Sequence, residues 1–479
     1  MALLRHSGIY FLARILAGGA SFAIIAAYTR LLDPQAFGEL ALAMGAIGFF
    51  ALIIVEGPTQ AMLRHLPGDP RAARATTLWG LILPAVAICC VASLVLLFAA
   101  PERWRVLLGL SGALLVVTLL HRFQLAAAQG ELQPGRYALL SSVESLLEVL
   151  IGVFLVWRGF GVAGALLGTT LAALAVVAAD WRGWWSGWEF FDRPLGTSML
   201  RFGLPLIGSA LFIWLATFVD RWLLAAFVGT DEAGRYAAGY DLLMNLLGVP
   251  MTVMALAGIP LTIGAYAEKG EQAAQGQLRL LGVFIILILL PEAVGIVMTG
   301  PLLVNIFLGA EFRPLTLTLL PMLVSATFLK ALMIYINYGY ILSGRTDLTL
   351  LSIAATAGIN LVLNLILIPR YGPAGAAMAA LIGFGAGFAI TMMKMRRVFP
   401  LPLPDPAILS GGLLGAAAMA VWLLPFHHVT AWSTALYVIP VAILIYFGAV
   451  FLFLHFTRRK PLDLLRDMWN SDGGKSATI

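Results

Sequence analysis

GFGVAGALLG, Gly159 to Gly168, lies between two hydrophobic runs and returns some two hundred residues later as RYGPAGAAMA, Arg370 to Ala379. Gly161, Ala163, Gly164 and Ala165 align with Gly372, Ala374, Gly375 and Ala376. A second pair keeps nearly the same spacing: LLDPQAFGELAL, Leu31 to Leu42, aligns with FVGTDEAGRYAA, Phe227 to Ala238, and Gly38 falls opposite Gly234. Two matches about two hundred residues apart read as a duplicated unit of six helices. The competing reading is independent use of Gly and Ala at short loops. Small residues at such turns also let helix backbones approach closely.

Everything around those two stretches is membrane-like. The 479 residues are 61% hydrophobic and 11% charged, with mean hydropathy +0.94, whereas a soluble domain carries roughly 25% charged residues. Crossing the hydrocarbon core takes about 20 apolar residues per helix, and fourteen such runs follow one another between residues 8 and 456. The fold class expected is an all-α polytopic membrane protein of about 14 transmembrane helices. Residues 1–185 and 186–398 form two six-helix lobes around a central cavity, 399–460 two appended helices, and 461–479 a cytoplasmic tail. Because six is even, both lobes cross in the same sense, and their symmetry axis lies along the membrane normal. Duplicated lobes with a site between them are a transporter architecture.

The net charge of +6 and pI near 9.4 come without any domain that could read bases, so no nucleic-acid partner is expected. The excess has a simpler source. With both termini in the cytoplasm, twenty of the 30 Lys and Arg fall on the inner side, eight on the outer side, and Arg14 and Lys330 inside spans. That is the positive-inside bias. IYFLARILAGGASFAIIAAY, Ile9 to Tyr28, could pass for a signal peptide, but it is too long for an h-region and Arg14 interrupts it. It reads as a retained first span. Cys89 and Cys90 are adjacent, show no metal spacing and read as small core residues. The longest loop, DWRGWWSGWEFFDRPLGTSM from Asp180 to Met199, is rich in Trp, as interfacial segments are.

Polar groups at membrane depth cost roughly 2.5–3.5 kcal/mol for a mid-span Lys, Arg or Asp, so each needs a reason. In helix 5, Ser141, Glu144, Ser145 and Glu148 fall at i, i+3, i+4 and i+7, a single stripe. Helix 11 has a stripe of Thr356, Asn360 and Asn364, helix 10 carries Lys330 and Asn337, helix 8 Asp241 and Asn245, helix 7 Asp220 and Arg221, and helix 1 Arg14. Each can line a substrate cavity. Each also has a plainer reading: an interfacial pair for Asp220 and Arg221, snorkelling for Arg14, helix-to-helix ties for the asparagines, and a structural Lys–Glu pair for Lys330 and Glu148.

No catalytic constellation, Walker motif or metal-ligand spacing is present, so the chain reads as a non-enzyme without a cofactor. A coupling cation, Na+ or H+, stays open. A membrane polymerase or ligase would be expected to have a large outer loop with catalytic side chains, and no loop here is long. A scaffold of a synthase complex would leave the buried polar stripes unexplained.

YTRLLDPQAFGELAL (Tyr28 to Leu42), LRFGLPLIGSALFIW (Leu200 to Trp214) with DRWLLAAFVGTDEAGRYAAGY (Asp220 to Tyr240), and INLVLNLILIPRYGPAGAAMA (Ile359 to Ala379) resemble the helix 1–2, 7–8 and 11–12 patterns of one family. It is the polysaccharide transporter branch, which contains O-antigen flippases, of the multidrug/oligosaccharidyl-lipid/polysaccharide exporter superfamily. The resemblance implies alternating access by two lobes in the bacterial cytoplasmic membrane. The substrate it implies is an undecaprenyl-pyrophosphate-linked oligosaccharide, flipped for synthesis of polysaccharides such as lipopolysaccharide. It implies cavity cations for the diphosphate, a role carried to Arg14, Lys330 and Arg221. Glu144 and Glu148 depart from a purely cationic lumen. The reading of the residues is that Glu148 faces the cavity, balances Lys330 when empty and binds sugar or a coupling cation in transport. Partners implied are the lipid-linked substrate, membrane lipids and polysaccharide synthesis machinery. A multidrug cation antiporter of the same superfamily and a lipid II flippase are the alternatives.

Overall fold

The structure, a computed structural model, describes residues 2–457 apart from 67–68, 186, 399–403 and 430; the side chains of 2–14 and of further helical positions, 252–257 among them, lie outside that description. The expected tail, 461–479, also lies outside it. Ten helical segments among the described residues are long and apolar enough to cross a membrane. Two of them, Pro134–Ala179 and Asp347–Met395, break at a glycine and double back, so each supplies two spans. Ala2–Leu31 and Thr230–Lys269 complete fourteen. The protein is an all-helical, multi-pass membrane protein.

In chain order the helices are α1 (Ala2–Leu31), α2 (Pro34–His65), α3 (Pro70–Ala99), α4 (Glu102–Gly130), α5 (134–158), α6 (Gly161–Ala179) and α7 (Arg193–Phe227). They continue with α8 (Thr230–Lys269), α9 (Glu271–Met298), α10 (Arg313–Leu342), α11 (346–371), α12 (373–398), α13 (Pro406–Leu423) and α14 (Trp432–Phe456). The chain packs as two compact units, Met1–Ala238 and Gly239–Ile479; the lobe boundary read from the sequence was 185/186. In the first unit α4 packs on α3 and α6, α5 on α1, and α7 on α2. In the second, α10 packs on the α11–α12 hairpin, α13 on α14, and α9 on α13.

The repeat is visible in the backbone. Gly161 has φ 53°, ψ −138° and Gly372 has φ 55°, ψ −135°, the same conformation at the same place in each hairpin and one open in practice only to glycine. The other repeat pair meets itself. A Cβ on Gly38 would strike the Thr230 carbonyl, and one on Gly234 would strike the Pro34 carbonyl, so the starts of α2 and α8 cross backbone to backbone. Asp33 sets the first of these starts: its side chain accepts from the Ala36 N–H at 2.8 Å with Pro34 at the first helical position.

Among the described residues four spans carry wide π turns, α2 at Leu52–Glu56, α3 at Thr76–Ile82, α5 at both Glu148–Gly152 and Val156–Phe160, and α9 at Ile285–Leu289. Such turns shift the face a helix presents and leave carbonyls to be satisfied elsewhere. At Ile285–Leu289 the reason is chemical. Pro291, five residues beyond Ile286, has no N–H to give, and the Tyr446 hydroxyl donates to the Ile286 carbonyl instead, at 2.6 Å.

Two expectations need correction. The segment after α6 is shorter than the Asp180 to Met199 loop read from the sequence: α7 opens at Arg193, because Asp192 caps it by accepting from the Leu195 N–H at 3.1 Å. Its tryptophans do cluster, with Trp79 4.8 Å from Trp185 and 5.5 Å from Trp188. The cysteines are not core residues. Cys90 is exposed and Cys89 half-buried, on a stretch of α3 that buries no side chain and so faces lipid.

Candidate functional site

Within the first unit, two membrane carboxylates sit on irregular turns. Glu56 ends the π turn of α2 and Glu148 begins that of α5. Glu148 Oε1 accepts from the Thr169 hydroxyl of α6 at 2.9 Å. The Tyr28 hydroxyl of α1 faces the same carboxylate, in space kept free because residue 152 has no Cβ. One turn earlier on α5, Glu144 Oε2 lies 3.3 Å from His121 Nε2 of α4. Arg122, beside it, is exposed in this unit and faces both Glu56 and Glu144. Glu56 in turn accepts from Gln60 at 3.1 Å. Three helices, α2, α4 and α5, thus bring three carboxylates, one guanidinium and one imidazole to one region, where opposite charges lower the cost of each other's burial.

A polar line runs from that region to the helix ends. His121 Nδ1 is 3.3 Å from Gln124 Oε1, and the Gln124 amide donates to Asp180 Oδ2 at 3.0 Å. Arg136 donates to the same oxygen at 2.7 Å and 3.0 Å. Arg136 also lies 3.9 Å from Glu131, which pairs with Arg74 at 2.8 Å. Gln124 is fully buried and His121 nearly so; Gln124 links His121 to Asp180, while His121 Nε2 makes no hydrogen bond and faces Glu144.

The remaining candidate of this unit is the Asp220–Arg221 pair. Both side chains are buried, at 5% and 4% exposure. Tyr236 donates to Asp220 Oδ2 at 2.7 Å, and the Arg221 guanidinium lies 5.0 Å from the Phe218 ring. Arg14 falls in α1, but its side chain lies outside the described residues.

The second unit holds the other candidates. Lys330 of α10 places its ammonium 5.8 Å from the face of Phe384 on α12. Within this unit, among the described residues, no carboxylate pairs with it. Asn364 donates to Asn360 Oδ1 at 2.9 Å, while Asn364 Oδ1 and Asn337 Oδ1 are buried acceptors without a donor. Thr356 donates back to the Ser352 carbonyl at 2.8 Å, and the Ser352 and Thr391 hydroxyls bond each other across α11 and α12. Asn245 donates to the Asp241 carbonyl at 2.9 Å. Among the described residues no group of three or more His, Cys, Asp or Glu is placed to hold a metal ion.

Reading the sequence alone passed over Glu56, His121, Arg122, Gln124, Asp180 and Glu292. The signal existed for Glu56 and Glu292, each a carboxylate inside an apolar run. His121 and Gln124 lie at i and i+3, but their partners are 23 and 56 residues away.

A sequence model of the family described as "Polysaccharide biosynthesis protein" matches residues 3–263. A search of curated protein sequences found no match. Among solved structures, the chain is similar to "Lipid II flippase MurJ, inward closed conformation", with TM-score 0.74 and 12% identity over 95% of this chain and 100% of that one. It is similar to an inward-facing multidrug resistance MATE family transporter of the MOP superfamily, with TM-score 0.62 and 16% identity over 81% and 98%. It is also similar to a MOP superfamily transporter from Pyrococcus furiosus, with TM-score 0.57 and 16% identity over 83% and 96%. At these identities the structures establish a shared fold.

Proposed function

Because the chain belongs to the polysaccharide biosynthesis protein family, we propose that it flips a lipid-linked oligosaccharide, carried on undecaprenyl pyrophosphate, across the bacterial cytoplasmic membrane by alternating access, with both termini in the cytoplasm. Its substrate would pass to the enzymes that assemble or export the polysaccharide. The observation that carries this reading is Lys330, an ammonium in a membrane-spanning helix that lies against the Phe384 ring, with no carboxylate against it among the described residues of its own unit. Such a charge is costly, and a diphosphate would compensate it. Arg14, Arg221 and Arg122 would add cations. Asn360, Asn364, Asn245 and Asp241 would serve the sugar hydroxyls, and Glu144 and Glu148 the sugar or a coupling cation, Na+ or H+. The MurJ likeness supports a lipid-linked substrate in a shared fold.

The test is deletion of the gene in its host, with lipid-linked oligosaccharide measured by leaflet alongside surface polysaccharide. The proposal expects loss of surface glycan and intermediates retained in the inner leaflet, restored by the native chain. Normal glycan together with new sensitivity to cationic dyes would overturn it in favour of a drug antiporter.

A further inference from the structure

A cavity of about 380 Å³ opens in the second unit between α9, α13 and α14. Its wall is almost wholly apolar, and its polar groups can be accounted for one by one. The Tyr446 hydroxyl is committed to the Ile286 carbonyl at 2.6 Å. The Thr299 hydroxyl is committed to the Gly295 carbonyl at 2.7 Å. That leaves Glu292 of α9, whose Oε2 is buried without a hydrogen-bond partner. No cation of the chain pairs with it among the described residues. Tyr446 and Phe447 add two aromatic rings to the wall, edge to face at 5.2 Å.

The mouth faces lipid. Ile288, Ile443 and Phe447 line the cavity and are exposed on membrane-spanning helices, at 37%, 48% and 43%. An occupant therefore enters from the hydrocarbon. One carboxylate is too few oxygens for a metal ion, which wants six or more in the case of Ca2+ or Mg2+. A neutral acyl chain would fill the space but leave Glu292 unanswered. A single positive charge wrapped in apolar groups answers all three features: the carboxylate, the aromatic faces and the aliphatic wall.

We propose that this groove is a binding site for a lipophilic monocation, of the quaternary ammonium or phosphonium type, held by Glu292 and by the rings of Tyr446 and Phe447. The site is separate from Lys330 and the asparagine stripe of α11, and it does not depend on the flippase reading.

The experiment uses the full-length protein in nanodiscs of phosphatidylcholine, with radiolabelled tetraphenylphosphonium as the probe. Saturable binding is expected, weakened on the order of tenfold or more in Glu292→Gln, since removing one partner of a desolvated charge pair is expensive. Phe447→Leu, at a lipid-exposed position that preserves the fold, is expected to weaken it a few-fold. Glu292→Asp, which keeps the charge, is expected to retain most of it. Gel filtration establishes that each variant is folded, and Glu292→Asp carries the test if Glu292→Gln is not. Absence of saturable binding to the native protein would overturn the proposal. So would equal binding by Glu292→Gln, or displacement by a neutral diacylglycerol as readily as by a second phosphonium, since the groove would then be an apolar slot for a lipid chain.

Discussion

Glu148 of α5 accepts a hydrogen bond from Thr169 of α6 at 2.9 Å, across a hairpin whose two helices run through the membrane. Thr169 donates to that carboxylate beside the Tyr28 hydroxyl, so removing the Thr169 hydroxyl tests what the pair does. Thr169→Val is expected to lower surface polysaccharide several-fold at normal protein abundance, Glu148→Gln to lower it further, and Thr169→Ser to keep it. The measurement is surface glycan per molecule of protein in a complemented deletion strain. Equal activity in all three would remove Glu148 from the transport account.

Lys330 separates binding from stability. An ammonium without a carboxylate partner among the described residues of its unit is a burden on the fold, so Lys330→Met is expected to leave thermal stability in detergent unchanged or raise it. Transport is expected to fall about tenfold or more, the loss that accompanies a missing charge-assisted contact worth about 1.5–3 kcal/mol. Lys330→Arg is expected to retain part of the activity, because the guanidinium also pairs with phosphate. Stability loss in Lys330→Met would mark the residue as structural.

How much of this was legible beforehand varies with the physics. Fourteen helices were readable because hydrocarbon thickness demands long apolar runs, and the hairpin turns because only glycine accepts the conformation found at Gly161 and Gly372. Glu148 was readable because a carboxylate in such a run is conspicuous. Its partner was not, since Thr169 looks like any other membrane threonine until α5 and α6 are packed. The π turn at Glu148–Gly152 was illegible too, because it depends on how neighbouring helices draw the backbone. The line from His121 through Gln124 to Asp180 escaped for the same reason: its members are polar residues of unremarkable type, joined only by the crossing of α4 and α6.

That line makes its own prediction. Asp180 takes hydrogen bonds from both Gln124 and Arg136, with side-chain exposures of 17% for Arg136 and 24% for Asp180. Breaking one partner of such a pair is expected to cost about 1–3 kcal/mol, less than the 3–5 of a fully buried pair. Asp180→Asn and Arg136→Gln should each lower the thermal midpoint, and the double variant should fall short of their sum. Strict additivity would mean that the two side chains do not act together.

Tyr446 supplies a test of the π turn in α9. With Pro291 unable to donate, Tyr446→Phe leaves the Ile286 carbonyl unsatisfied in an apolar setting, at an expected cost of about 1–3 kcal/mol. Thermal unfolding of the purified protein measures it. No change would mean that the carbonyl finds another donor.

The central claim is movement of a lipid-linked oligosaccharide. Its most direct measurement places the purified protein in liposomes containing undecaprenyl-pyrophosphate oligosaccharide and follows the appearance of glycan in the opposite leaflet with an impermeant lectin. The account predicts translocation by the native chain and its loss in Lys330→Met. Translocation at the rate of protein-free liposomes, by a protein shown to be folded, would contradict it.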